Sequence, residues 1–292
     1  MYKYLKLYVL LIYVLLMVMF SCNKDNEATL PAYIYIDSVV LKTKPSLQGA
    51  PTHNISEFWV FADGKPLGAF AKDKIIPVIA DDYNNVELQI FAGIRENGIK
   101  SNVNTYYLYK DFNIKKALKQ GEVDTIDVVY EYVDYAKFVF IEGFENSNIF
   151  TVDEDEDPLT KIELTKEEVC SGQFSGKIVL TKEHNKFIAT SQLDYYEIPT
   201  KGNLIYLELD YKGDIPFIIG VSGKDESGNE YKQDIILLKN KENWNKIYLN
   251  LTNTIQESAL QSYRIYFSAL HNEKADTSLL YFDNIKLLYS DR

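Results

Sequence analysis

The chain has 292 residues and a formal net charge of −11, from 31 Lys and Arg against 42 Asp and Glu. A surface this acidic repels phosphate backbones, so nucleic acid is not an expected partner. Two cysteines and three histidines leave little for a disulfide framework or a metal centre, while 23 Tyr, 15 Phe and 2 Trp among many Val and Ile indicate β-structure.

At the start, Lys3 and Lys6 precede an apolar run of 14 residues, 7–20, which is followed by Ser21, Cys22 and the polar residues 23–27. As a helix the run spans roughly 21 Å, short of a ~30 Å hydrocarbon core, and its basic flank suits an export signal. The segment resembles a bacterial lipoprotein signal, specifically the looser Bacteroidetes type, although Met19 and Phe20 stand where that pattern has Leu and a small residue. The resemblance implies cleavage after Ser21 and acylation of Cys22, each buried CH₂ contributing about 0.8 kcal/mol to membrane anchoring. Residues 22–31 are then a lipidated tether. Residues 23–27 resemble a Lys-plus-acidic tag that directs such lipoproteins to the outer face of the outer membrane, and they equally suit a plain solvated tether. Ordinary secretion with a free Cys22, or an uncleaved short anchor, are the other readings of the signal.

A first unit is expected over residues 32–135. Residues 33–41 read as a strand, and 43–52, with Pro45, Gly49 and Pro51, as a loop. Residues 57–61 and 66–70 flank Asp63-Gly64, the strongest short-range hairpin signal in the chain. Pro77 places the strand at 75–79 on a sheet edge. Residues 86–92 alternate as a half-buried strand, 93–102 form a turn, 105–112 are extended, and 121–132 close the unit. This spacing predicts a small Ig-like β-sandwich. Trp59, between Phe58 and Val60, reads as a core or sheet-face residue, with a binding aromatic as the alternative.

A second unit is expected over 136–292. It opens with a strand near 138–145. The acidic run 153–158 fails the calcium-loop pattern, because its sixth position is Pro158 and its twelfth Leu164. One helical turn is expected at 165–168. Strands follow at 176–180, 187–191, 204–211, 217–221, 231–238, 245–251, 263–270 and 279–288. Phe144-Glu145, the turn from Ser171 to Ser175, the strand at 204–211, Trp244 with the strand after it, and Asp283-Asn284 in the closing strand occur in an order that resembles a galactose-binding-like jelly roll of the carbohydrate-binding-module type. The resemblance implies an all-β fold, a structural calcium held by Glu145 and Asp283, and sugar stacking on exposed aromatics such as Tyr195 and Tyr196. It also implies that Trp244 is a packing residue.

With Cys22 acylated, Cys170 has no partner and reads as a small buried apolar residue. No Ser lies in a G-x-S-x-G elbow, no phosphate-cradling glycine loop occurs, and the histidines lack ligand spacing, so no enzymatic activity is expected. The expected function is glycan binding or capture through the jelly roll at the cell surface. The alternative is a structural or adhesion lipoprotein that binds a surface protein. An aromatic patch ringed by polar groups favours the first, and a broad apolar patch the second.

Overall fold

The apolar residues of both units alternate with period two, and each strand therefore has one face to bury. A computed structural model describes residues 30–292 except 196, 197, 200 and 259. Cys22, the signal before it and Tyr196 lie outside the described residues.

The first sandwich pairs two sheets. One has the order β4-β1-β8, from Ile76–Val78, Ala32–Lys42 and Val123–Glu131. The other runs β3-β2-β5-β6, from Lys65–Ala71, Glu57–Ala62, Val86–Arg95 and Val103–Thr105, with β7 (Phe112–Lys116) also on β5. Strands β1 and β8 pair in parallel. The Asp63-Gly64 hairpin forms with φ of 49° and 73°, the two positive angles that a two-residue turn matching strand twist requires. Strand β4, carrying Pro77, lies on an edge as the sequence indicates. Within the loop expected at 43–52, Pro45–Gln48 forms a single helical turn, α1, with proline in its first turn.

The second sandwich is a jelly roll. Its front sheet has the order β10-β13-β18-β15-β16, from Val152–Asp153, Lys186–Thr190, Ser262–Leu270, Phe217–Lys224 and Glu230–Leu238. Its back sheet has the order β11-β12-β19-β14-β17, from Glu163–Thr165, Ser175–Thr181, Thr277–Ser290, Ile205–Gly213 and Lys241–Asn250; β9 (Ala136–Glu142) pairs with the far half of β19. A short helix, α2, covers Thr252–Ser258. The helical turn expected at 165–168 does not form. Residues 163–165 extend the sheet edge as β11, and the Thr165 hydroxyl accepts the Glu167 N–H, a local bond that competes with an isolated turn.

The two sandwiches share a boundary. Ile205, Leu207 and Leu209 of β14 point into the jelly-roll core. The alternate residues Tyr206, Glu208 and Asp210 point away from that core, yet they are 4%, 0% and 2% exposed because the first sandwich covers them. Tyr206, Tyr248 and Leu288 belong to the first domain's core. A β-bulge in β19, with Asn284 at φ 49°, lets two residues oppose one on β14 at this boundary.

The covered face buries charge. Glu208 accepts hydrogen bonds from Tyr106 (2.6 Å) and Tyr132 (2.9 Å), and Lys246 lies 3.5 Å from Glu208 and 3.7 Å from Asp210. Asp210 accepts from Thr52 (2.6 Å) and Asn284 (3.0 Å). Lys286 donates to the Ala50 carbonyl at 2.7 Å. Two basic and two acidic side chains meet here, and each has hydrogen-bond partners, as buried polar groups require.

Candidate functional site

With the β14, β17 and β19 part of its back sheet covered, the jelly roll offers the outer face of its front sheet. Phe217, Ile219 and Val221 of β15 and Ile265 and Phe267 of β18 turn inward. Period-two alternation therefore turns Gly220, Ser222, Arg264 and Tyr266 outward. Tyr266 lies across the face over Gly220, where a Cβ would meet the ring at 2.0 Å, and its hydroxyl donates to Asp234. Lys232 Nζ caps the ring 4.2 Å from its centre.

Beside this ring is a cleft of about 150 Å³ lined by Glu154, Asp194, Ser222, Tyr231, Lys232 and Arg264. Arg264, Asp194, Lys232 and Glu154 form two pairs. Arg264 donates to Asp194 at 2.6 Å, and Lys232 and Thr190 both donate to Glu154. Burial works to raise the Glu154 carboxyl, but those hydrogen bonds and the nearby cations hold it below its ordinary value. The hydrogen bond to Asp194 holds the Arg264 guanidinium charged. Glu154 is thus an ionised acceptor at neutral pH, the opposite of the raised carboxyl a glycosidic general acid needs. The cleft combines fixed donors and acceptors with little net charge, a lining suited to a polyhydroxy ligand.

The residues that the sequence singled out lie elsewhere. Tyr195 is 7% exposed and stacks on Phe140 at 5.1 Å, with burial pushing its hydroxyl up to about 12. It is a core residue and presents no stacking face, because its backbone pairs with Tyr263 and draws the ring inward. Trp59 and Trp244 are each partly buried, and each indole N–H lacks a hydrogen-bond partner.

Glu145 and Asp283 do approach the same segment, the turn at 170–174, but they bind its backbone. Glu145 accepts the N–H groups of Gln173 (2.8 Å) and Phe174 (3.2 Å), and Asp283 those of Cys170 (3.1 Å) and Ser171 (3.0 Å). Burial pushes the Asp283 carboxyl up to about 7 against those bonds, and Asp210 adds to the rise. Among the described residues, no three His, Cys, Asp or Glu side chains converge as cation ligands. The pair does not fit a calcium ion, whose six to eight oxygen ligands are not gathered here. Its carboxylates tie the domain ends together through N–H donors instead. Cys170 carries a free, half-buried thiol that burial and the neighbouring Asp210 and Asp283 push up to about 12, so it is a poor nucleophile.

Nothing in the sequence pattern marks the front-face cleft, whose members come from five separated segments. The one available signal was Gly220 in an otherwise apolar strand, which marks a close approach from above.

No family model matches the chain, and no curated protein matches it. Among solved structures, the chain is similar to the CBM22-1 xylan-binding domain from Paenibacillus barcinonensis Xyn10C, with 12% identity over 55% of this chain and 99% of that one, at a TM-score of 0.39. It is also similar to a family 30 carbohydrate binding module, with 17% identity over 45% and 74% of the two chains and a TM-score of 0.34. A structure described for carbohydrate-binding modules of the β-sandwich superfamily aligns at 13% identity over 80% and 84%, with a TM-score of 0.34.

Proposed function

We propose that this protein is a non-catalytic, glycan-binding lipoprotein, held on the outer face of an outer membrane by acylated Cys22 and presenting its jelly roll to the exterior. The observation that carries the binding role is the open face of the front sheet. The centre of the back sheet is covered by the first domain, and the front face bears a charge-compensated cleft of hydrogen-bonding side chains around Arg264, Asp194, Glu154 and Ser222. Paired ions of this kind accept and donate to hydroxyl groups without favouring a charged ligand. The depressed Glu154 carboxyl supports binding over hydrolysis. The basic and apolar residues before Cys22 support the anchor.

A glycan array tests the binding role. Reproducible binding to one glycan class, weakened about tenfold or more in Arg264→Ala, is the expected result. Silence across the array overturns the reading and leaves a protein partner as the alternative. Fractionation tests the anchor: Cys22→Ser moves the protein to the soluble fraction, and membrane retention of that variant overturns the lipoprotein assignment.

A further inference from the structure

The second open surface lies at the seam between the domains. Trp59 and Phe61 of β2 and Phe91 of β5 stand on the outer face of the first domain's larger sheet, with Trp59 directly opposite Phe91 across the strand pair. The rings of Phe61 and Phe91 meet edge to face at 5.7 Å. Tyr107, just past β6, is 54% exposed. These rings and Tyr206 of the second domain line a groove of about 530 Å³. That lies within the roughly 300–1,000 Å³ range of small-molecule sites.

One end of the groove is polar, and its polar groups are fixed. Glu96 Oε1 accepts the Tyr206 hydroxyl at 2.6 Å and Asn250 Nδ2 at 2.9 Å, while Oε2 accepts Asn104 Nδ2 at 3.1 Å. Asn250 also reaches the Tyr206 hydroxyl at 3.3 Å. Both domains thus contribute to one end, and Glu96 bridges them. The indole N–H of Trp59 has no partner. The groove joins half-exposed aromatic faces to a carboxylate and two carboxamides held in place.

We infer that this seam groove is a second binding site, for a neutral pyranose-based glycan. This site rests on the protein's being a glycan binder, and it needs both domains. A pyranose ring has an apolar C–H face and a rim of hydroxyls, which match the aromatic wall and the Glu96 end. A lipid chain or apolar peptide would match the aromatic wall but make no use of the polar Glu96 end, whose remaining lone pairs and N–H groups suit hydroxyls. A phosphorylated or carboxylated ligand would meet the Glu96 charge.

The groove supplies its own reporter. The chain has 2 Trp, so Trp244→Phe leaves Trp59 as the only tryptophan, whose emission is excited selectively at wavelengths that tyrosine does not absorb. In that background, hexasaccharides of β1,4-linked xylose, glucose and mannose are titrated, with a sialylated trisaccharide as the charged probe. The expected result is a saturable shift in Trp59 emission with at least one neutral sugar. Tyr107→Ala and Asn104→Ala, with folding checked by melting, weaken that response about tenfold or more, and the charged probe gives none. Three results overturn the inference: no Trp59 response to any neutral sugar up to about 10 mM, a response equal in both variants, or a response to the charged probe alone. If array binding is nevertheless present and depends on Arg264, the glycan-binding reading stands and only the seam site falls; silence in both experiments removes both.

Discussion

The two outer faces of the jelly roll were built by the same alternation of apolar and polar residues, and they meet opposite fates. On the front sheet the outward polar residues, Ser222 and Arg264 among them, border solvent and line a cleft. On the back sheet the outward polar residues Glu208, Asp210, Lys246 and Lys286 are buried beneath the first domain. A carboxylate in one place is a ligand-facing acceptor, and in the other it is part of the joint between domains. The difference shows that a polar stripe on a strand marks a face, and its neighbours decide what the face is for.

The largest effect is expected on the covered face. Glu208→Ala leaves Lys246 without its main carboxylate partner and strips Tyr106 and Tyr132 of an acceptor. Breaking one side of a buried ion pair costs about 3–5 kcal/mol, so a denaturant titration of this variant is expected to show a lower midpoint, with the two domains separating into two transitions. A single transition with an unchanged midpoint would mean that the charged seam does not hold the domains together.

Asp283 sharpens the same point through pH. Its carboxyl sits at about 7 in the folded chain against an ordinary value of 3.8, so the folded state holds the proton more tightly. Stability from this group is complete below pH ~4 and is lost as pH rises toward ~7, on the order of 2–4 kcal/mol in all. Lys286 runs the other way. Burial, with the Lys246 charge beside it, pulls its ammonium down to about 7, so its burial penalty is relieved as pH rises from there toward 10.5. The two groups together give a stability minimum near neutrality. Asp283→Asn keeps the neutral shape, and unfolding midpoints measured across that range are expected to lose their acid-side slope. Added calcium is expected to change neither profile, because the carboxylates are occupied by N–H groups.

Gly220→Ala carries the comparison to the open face. A methyl group there collides with the Tyr266 ring, which must lift from the sheet and leave Asp234. Overpacking of this kind costs typically 1–3 kcal/mol. The loss is confined to the front sheet, and near-ultraviolet circular dichroism of the tyrosine signal checks it.

The strands were legible because their signals are local. Period-two alternation, Asp63-Gly64 and Pro77 set the two sandwiches and their edges without reference to distant parts of the chain. The sites were not legible, because they are made by contacts across long separations. Glu96 and Asn250 meet only once the domains pack. Tyr195-Tyr196 reads as an aromatic platform in sequence, yet Tyr195 turns into the core where its backbone bridges to Tyr263. Glu145 and Asp283 do converge on one turn, as the family resemblance implies, but the intervening backbone amides take the place of an ion. Trp59 was read as a core or sheet-face residue; it is on the outer sheet face, and what its local pattern did not show is the groove it lines.

The smallest effect on stability is expected from Arg264→Ala, and that is what makes it informative. Its pair with Asp194 has side chains 29% and 20% exposed, so solvent screens the interaction and its removal is expected to cost no more than about 1 kcal/mol. The same guanidinium presents several donors in a rigid plane at the cleft, so its loss falls on binding. A melting temperature within a few degrees of the parent, together with glycan affinity reduced about tenfold, separates a binding role from a structural one. If Arg264→Ala instead destabilised the fold as strongly as Glu208→Ala, the open face would be as structural as the buried one, and the contrast between the two faces would collapse.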